Sequence, residues 1–136
     1  MMKRRHLVLI ATVAAFSFVG TQSSALETGE MVTTGLLNMP LEDIAGKESN
    51  VVLFEVGPGW TIDRHFHPGH IFLYMIEGSI MIEADGLDAQ TLLPGEAVYE
   101  IPNLNMVANN VSSTEGAKFV AFTVGNTGDE VMIFPE

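Results

Sequence analysis

The chain has 136 residues, 47% apolar and 17% charged, with 17 acidic residues against 6 Lys and Arg, a formal charge of −11, and no cysteine. One small domain with a modest core fits within these limits; a disulfide framework, a thiolate metal site and a lipid-modified cysteine do not. The excess of negative charge argues against a nucleic acid partner or an anionic membrane surface, because both repel an acidic face.

In chain order, residues 1–25 read as a signal peptide. Lys3, Arg4 and Arg5 supply a basic start, and Leu7 to Gly20 is an apolar run shorter than the about 20 residues needed to span a bilayer. Ser23-Ser24-Ala25 offers small residues for cleavage. The expected product is periplasmic or secreted and free of the membrane after cleavage. Removing residues 1–25 leaves 111 residues and only Lys47, Arg64 and Lys118 as cations against all 17 acids, a formal charge of −14.

Residues 26–50 read as an N-terminal leader with a strand at Met31 to Leu37 and a polar turn at Glu42 to Asn50. From Val51 onward, short runs rich in Val, Ile, Phe and Tyr recur at 51–56, 62–67, 71–76, 79–84, 89–93, 97–101, 106–109, 119–124 and 131–134. Gly-Pro-Gly (57–59), Pro-Gly (68–69 and 94–95), Asp-Gly (85–86) and Asn-Thr-Gly (126–128) punctuate them. Short strands at this spacing predict an all-β antiparallel sandwich or barrel.

Within this pattern, Gly59, His65, His67, Ile71 and Gly78 are spaced in a way that resembles the first motif of the cupin superfamily, G-x5-H-x-H-x3,4-E-x6-G. Counted from Gly95, the second motif, G-x5-P-x-G-x2-H-x3-N, falls on Ile101, Asn103, Met106 and Asn110, with Pro102 one place late. The resemblance covers residues 59–110. It implies a double-stranded β-helix, or jelly roll, over 51–136. It also implies a metal held by three histidines and a carboxylate, and homodimers in which a strand such as Met31 to Leu37 is swapped or lies at a sheet edge. Ile71 stands where the usual glutamate ligand would be, and Met106 where the third histidine would be.

Alternate residues of a strand share a face about 7 Å apart, so His65 and His67 can converge on one ion or ligand. The same parity turns Asp63 inward, with Leu73 and Met75 from the next strand and Ala108 and Asn110 beyond Met106. Thioether sulfur beside imidazole suits copper. A set of His65, His67 and Met106, with Met75 or His70 as a fourth donor, therefore favours copper slightly among copper, zinc, iron and manganese. His70 points outward by strict alternation; a one-residue shift at Pro68-Gly69 would bring it in and complete a three-histidine set. Against these readings, Met106 can be a core filler, His70 a rim residue and Asp63 a surface partner of Arg64. Trp60, Tyr74 and Tyr99 read as core or rim aromatics, and Glu77 as a turn residue.

Three functions follow. The first is an exported cupin binding a divalent transition metal through the paired histidines and acting on a small organic molecule as an oxygenase, isomerase or lyase. The second is a metal-free cupin that binds a small ligand or associates with itself, and the third is a periplasmic copper-binding protein using His65, His67 and Met106.

Overall fold

The computed structural model describes residues 25–136, and the expected signal peptide lies outside them except for Ala25. Among the described residues there is no helix long and apolar enough to cross a membrane. The strands are β1 (Met31–Pro40), β2 (Lys47–Val56), β3 (Thr61–His65), β4 (His70–Glu77), β5 (Ile80–Ala84), β6 (Gln90–Leu92), β7 (Ala97–Glu100), β8 (Met106–Asn109) and β9 (Ala117–Asn126). They form a five-stranded sheet in the order β1-β2-β9-β4-β7 and a four-stranded sheet in the order β3-β8-β5-β6. All described pairings are antiparallel. This is the double-stranded β-helix expected from the sequence.

Alternation along the strands builds the core. On β9, Ala117, Phe119, Ala121 and Thr123 are buried, whereas Lys118, Val120, Phe122 and Val124 point to the other side. Across the five-stranded sheet these inward positions fall into rungs. Asn50, Thr123, Ile71 and Glu100 are register partners along β2, β9, β4 and β7, and the next rung is Val52, Ala121, Leu73 and Val98. Phe54, Phe119 and Met75 follow. Phe54 stacks on Phe119 with ring centroids 5.0 Å apart.

The barrel begins at Met31 rather than at Val51. The leader strand is longer than expected and pairs antiparallel with β2 of its own chain at the sheet edge, with a bulge between Gly35 and Leu37. Every residue of β1 is exposed. The polar turn shrinks because β2 starts at Lys47, and residues 131–134 are not a strand but a C-terminal strap, bridged to the barrel only at Ile133 and Phe66.

Two motif positions explain local geometry. Gly78 sits at φ 70°, and a Cβ there would stand 2.5 Å from the Gly116 carbonyl oxygen, so the turn after β4 has no room for a side chain. Asn103, in the place of the second motif's glycine, has φ 59°, and Asn is among the few other residues that tolerate this left-handed region. Its backbone N–H donates to the His67 carbonyl at 2.8 Å, tying the second motif to the first.

Candidate functional site

His65 ends β3 and His67 lies two residues beyond; they are 3% and 5% exposed. Their rings meet edge to face with centroids 5.0 Å apart. Each Nδ1 lies against a backbone carbonyl, Asp63 O at 2.8 Å for His65 and Val131 O at 2.7 Å for His67. Carbonyls only accept, so both Nδ1 atoms carry the proton and both Nε2 atoms keep a free lone pair. Burial holds both imidazoles below the ordinary histidine range. The backbone carbonyl opposes this at each ring, and the neighbouring His65 adds to it at His67.

The sequence reading missed the third polar member of the site. Glu100 closes β7 and lies in register with Ile71 across the β4–β7 pair, so a carboxyl group stands one strand away from the position where the motif would place it. Its Oε2 is 3.3 Å from His67 Nε2, and both side chains are almost fully buried. Burial pushes the carboxyl up to about 7. The same burial disfavours a charged imidazole, so the two facing groups are both biased toward their neutral forms rather than toward an ion pair. The contact is a proximity rather than a hydrogen bond, and among the described residues Oε2 is a buried polar atom with no hydrogen-bond partner. A sequence signal existed: parity along Ala97–Glu100, with Val98 inward, puts Glu100 on the same face.

His65, His67 and Glu100 share a cavity with Thr123 and a predominantly apolar wall that includes Trp60, Ile71, Leu73, Ile80, Phe119 and Ala121. The centres of water-sized molecules have about 60 Å³ there, room for roughly four or five waters. The strap covers part of this space with Val131 and Met132. Ile133 exchanges two backbone hydrogen bonds with Phe66, each 2.9 Å, and Phe134 lies 6.0 Å from the His65 ring centroid.

Several expected members of the site are elsewhere. His70 is exposed on the outer face of β4, with its Nδ1 2.7 Å from the Tyr99 hydroxyl, so the three-histidine set is not formed. Alternation held through Pro68-Gly69, since Ile71 is the residue that turns inward. Asp63 is exposed because a bulge between Ile62 and His65 resets the parity of β3: Ile62 and His65 both line the cavity, and Asp63 contributes only its carbonyl. Met106 is buried and in register with His65, yet its side chain lines an adjoining recess with Ile82, Leu104 and Tyr99. Met75 is fully buried in the core and does not line the cavity. The slight preference for copper rested on these thioethers and loses its support. Asn110 spends its amide on the carbonyls of Gly57 and Glu115, a structural task. Trp60 is a core aromatic, whereas Tyr74 and Tyr99 are exposed on the outer sheet face.

The donor types fit a divalent transition ion. Two imidazoles with Nδ1 fixed by carbonyls and Nε2 free are oriented as metal ligands usually are, and two histidines with one carboxylate suit iron(II), zinc and related ions. As the side chains stand, no three His, Cys, Asp or Glu among the described residues are gathered to hold an ion. The His67–Glu100 pair would have to part and release its proton for binding.

Neither a protein-family profile nor a curated protein matches the sequence. Solved structures do. A conserved protein with a double-stranded β-helix domain from Klebsiella pneumoniae aligns over 82% of this chain and 89% of its own at 22% identity, with a TM-score of 0.62. An RmlC-like cupin from Shewanella frigidimarina aligns over 86% and 96% at 16% identity and TM-score 0.57. An oxalate decarboxylase variant from B. subtilis aligns over 82% of this chain but 29% of its own, at 20% identity and TM-score 0.63. The chain has the cupin fold, an antiparallel double-stranded β-helix that other proteins use for unrelated tasks.

Proposed function

We propose that the protein is an exported cupin-fold protein whose cavity holds one divalent transition metal on His65, His67 and Glu100 and presents it to a small organic molecule. The observation that carries this reading is that two imidazoles tethered through Nδ1 and a buried carboxyl oxygen without a hydrogen-bond partner line the same small cavity. Bound there, a metal would supply Lewis acidity toward a ligand oxygen. The chain's own groups hold the imidazoles in one tautomer and cover part of the cavity with the strap. A DMSP lyase and an oxalate decarboxylase share the fold, and an oxygenase, isomerase or lyase activity is the corresponding reading here.

Metal analysis after exposure to zinc, copper, manganese and iron tests the proposal. About one equivalent is expected in the mature protein, with loss in His65→Ala/His67→Ala, weakened retention in Glu100→Gln, and no change in Met106→Leu. Absence of metal from the wild type would leave the second reading, a metal-free cup. The burial that biases His67 and Glu100 toward their neutral forms favours it, since neither group then carries a buried charge that an ion must balance.

Self-association fits the other side of the large sheet. Its outer face exposes Phe72, Tyr74, Ile76, Phe122 and Tyr99, continued by Val32, Leu37 and Met39 on β1. Apolar patches of this kind mark interfaces. The edge of β1, unpaired among the described residues, lets a second copy extend the same sheet, so a two-fold homodimer is the partner we assign to it.

A further inference from the structure

The cavity has a polar end and an apolar end, set by the rungs of the five-stranded sheet. Thr123, Ile71 and Glu100 lie on one rung beside His67, with Asn50 Nδ2 donating to Thr123 Oγ1 at 3.3 Å, so the Thr123 hydroxyl proton remains available to a ligand. One rung further, Val52, Ala121 and Leu73 line the space, and beyond them Phe54, Phe119 and Trp60 close it. Among the described residues no cation lines either end. The three Lys and Arg among the described residues are engaged on the surface: Arg64 with Asp85, Lys118 with Glu55 at 2.9 Å, and Lys47 with Asn126 at 2.6 Å.

From this arrangement we infer that the natural ligand is a short molecule of about four to six heavy atoms, with a single polar head at the Thr123–Glu100–His67 end and an uncharged apolar tail lying along Leu73 and Ala121. A second charge on the ligand would be buried against hydrocarbon with no partner, which strongly disfavours binding. In the metal-free cavity a dicarboxylate such as oxalate is therefore disfavoured, although an oxalate decarboxylase shares the fold. The inference deepens the proposed function at the same site and concerns the cavity before a metal enters it.

The test uses metal-free mature protein at pH 8 and three probes of six heavy atoms each: isobutyramide, isobutyrate and oxalate. Binding is read from methyl resonances of Leu73, Ile71 and Ile80. Isobutyramide should bind most tightly, isobutyrate at least about tenfold more weakly and oxalate weaker again. Ala121→Val, which narrows the tail end, should weaken isobutyramide while leaving the spectrum of a folded protein and the metal stoichiometry unchanged. Oxalate binding as tightly as isobutyramide would overturn the inference, as would no binding by any probe, or isobutyramide binding indifferent to Ala121→Val. Metal stoichiometry measured on the same preparation reports separately on the metal proposal, so the two can fail independently.

Discussion

Replacing Glu100 by Gln should make the metal-free protein more stable at alkaline pH, and the size of the effect follows from burial. In the unfolded chain the carboxyl titrates near its ordinary 4.5, whereas in the fold it is pushed up to about 7. Below pH 4.5 both states are protonated and the shift has no effect. Between 4.5 and 7 the unfolded chain gives up its proton while the folded one keeps it, so stability falls as pH rises, levelling off above 7. At about 1.4 kcal/mol for each pH unit of that interval, the loss approaches about 3 kcal/mol. Gln removes the titration and can still donate to His67 Nε2 from its amide. The two histidines, held below their ordinary range, give the opposite trend as pH rises through the ordinary imidazole value, but they are present in both proteins and largely cancel in the comparison. Urea unfolding of wild type and Glu100→Gln from pH 4 to 8.5, with metal removed, measures the difference. The two curves should diverge by roughly 3 kcal/mol toward high pH. Curves that stay parallel across the range would refute the buried, protonated carboxyl.

Deleting residues 129–136 removes the strap with its two backbone hydrogen bonds to Phe66 and the Val131 carbonyl that accepts from His67 Nδ1, three bonds worth about 1 kcal/mol each. Modification of His65 and His67 by diethyl pyrocarbonate, mapped by mass spectrometry, should then accelerate on the order of 100-fold, while the exposed His70 reacts at an unchanged rate as internal reference. Equal rates in both proteins would show that the strap does not guard the cavity. On the outer sheet face, Phe122→Glu places a charge beside its register partner Phe72. Light scattering should show twice the monomer mass for the mature wild type and the monomer mass for this variant; a monomeric wild type would remove the homodimer.

How much of this was legible in the sequence depends on whether the determining contact is local. His65 and His67 could be read because the motif glycines, the short strands and the two-residue spacing are all local features, and both rings do face inward. Asn103 could be located by motif counting, and its φ of 59° shows that the count was in register despite the displaced Pro102. The bulge between Ile62 and His65 could not be read, since it arises where β3 meets β8, more than forty residues away in the chain. It reverses the parity of every residue before it, and Asp63 went to the wrong face for that reason. Met106 failed differently: its backbone register beside His65 agrees with the motif, but a long flexible side chain is free to fill the neighbouring recess.

Glu100 joins these cases into one physical account of the site. A β-sheet places side chains on a grid, and a carboxyl group can move one strand sideways and still reach the same volume. Here the move exchanges the two occupants of a single rung: the motif's glutamate position on β4 carries Ile71, and the adjoining position on β7 carries the acid. Seen along the chain, this looks like the loss of a ligand, because positions 71 and 100 belong to different motifs. Across the sheet, the carboxyl remains within 3.3 Å of His67 Nε2. The consequence is chemical as well as geometric. An acid at this position, buried and facing a neutral imidazole, keeps its proton up to about pH 7, so binding a metal ion below that must displace a proton. Metal affinity in this protein should accordingly rise with pH through about 7, the value to which burial moves Glu100, and Glu100→Gln, which has no carboxyl proton to release, should lose that part of the dependence.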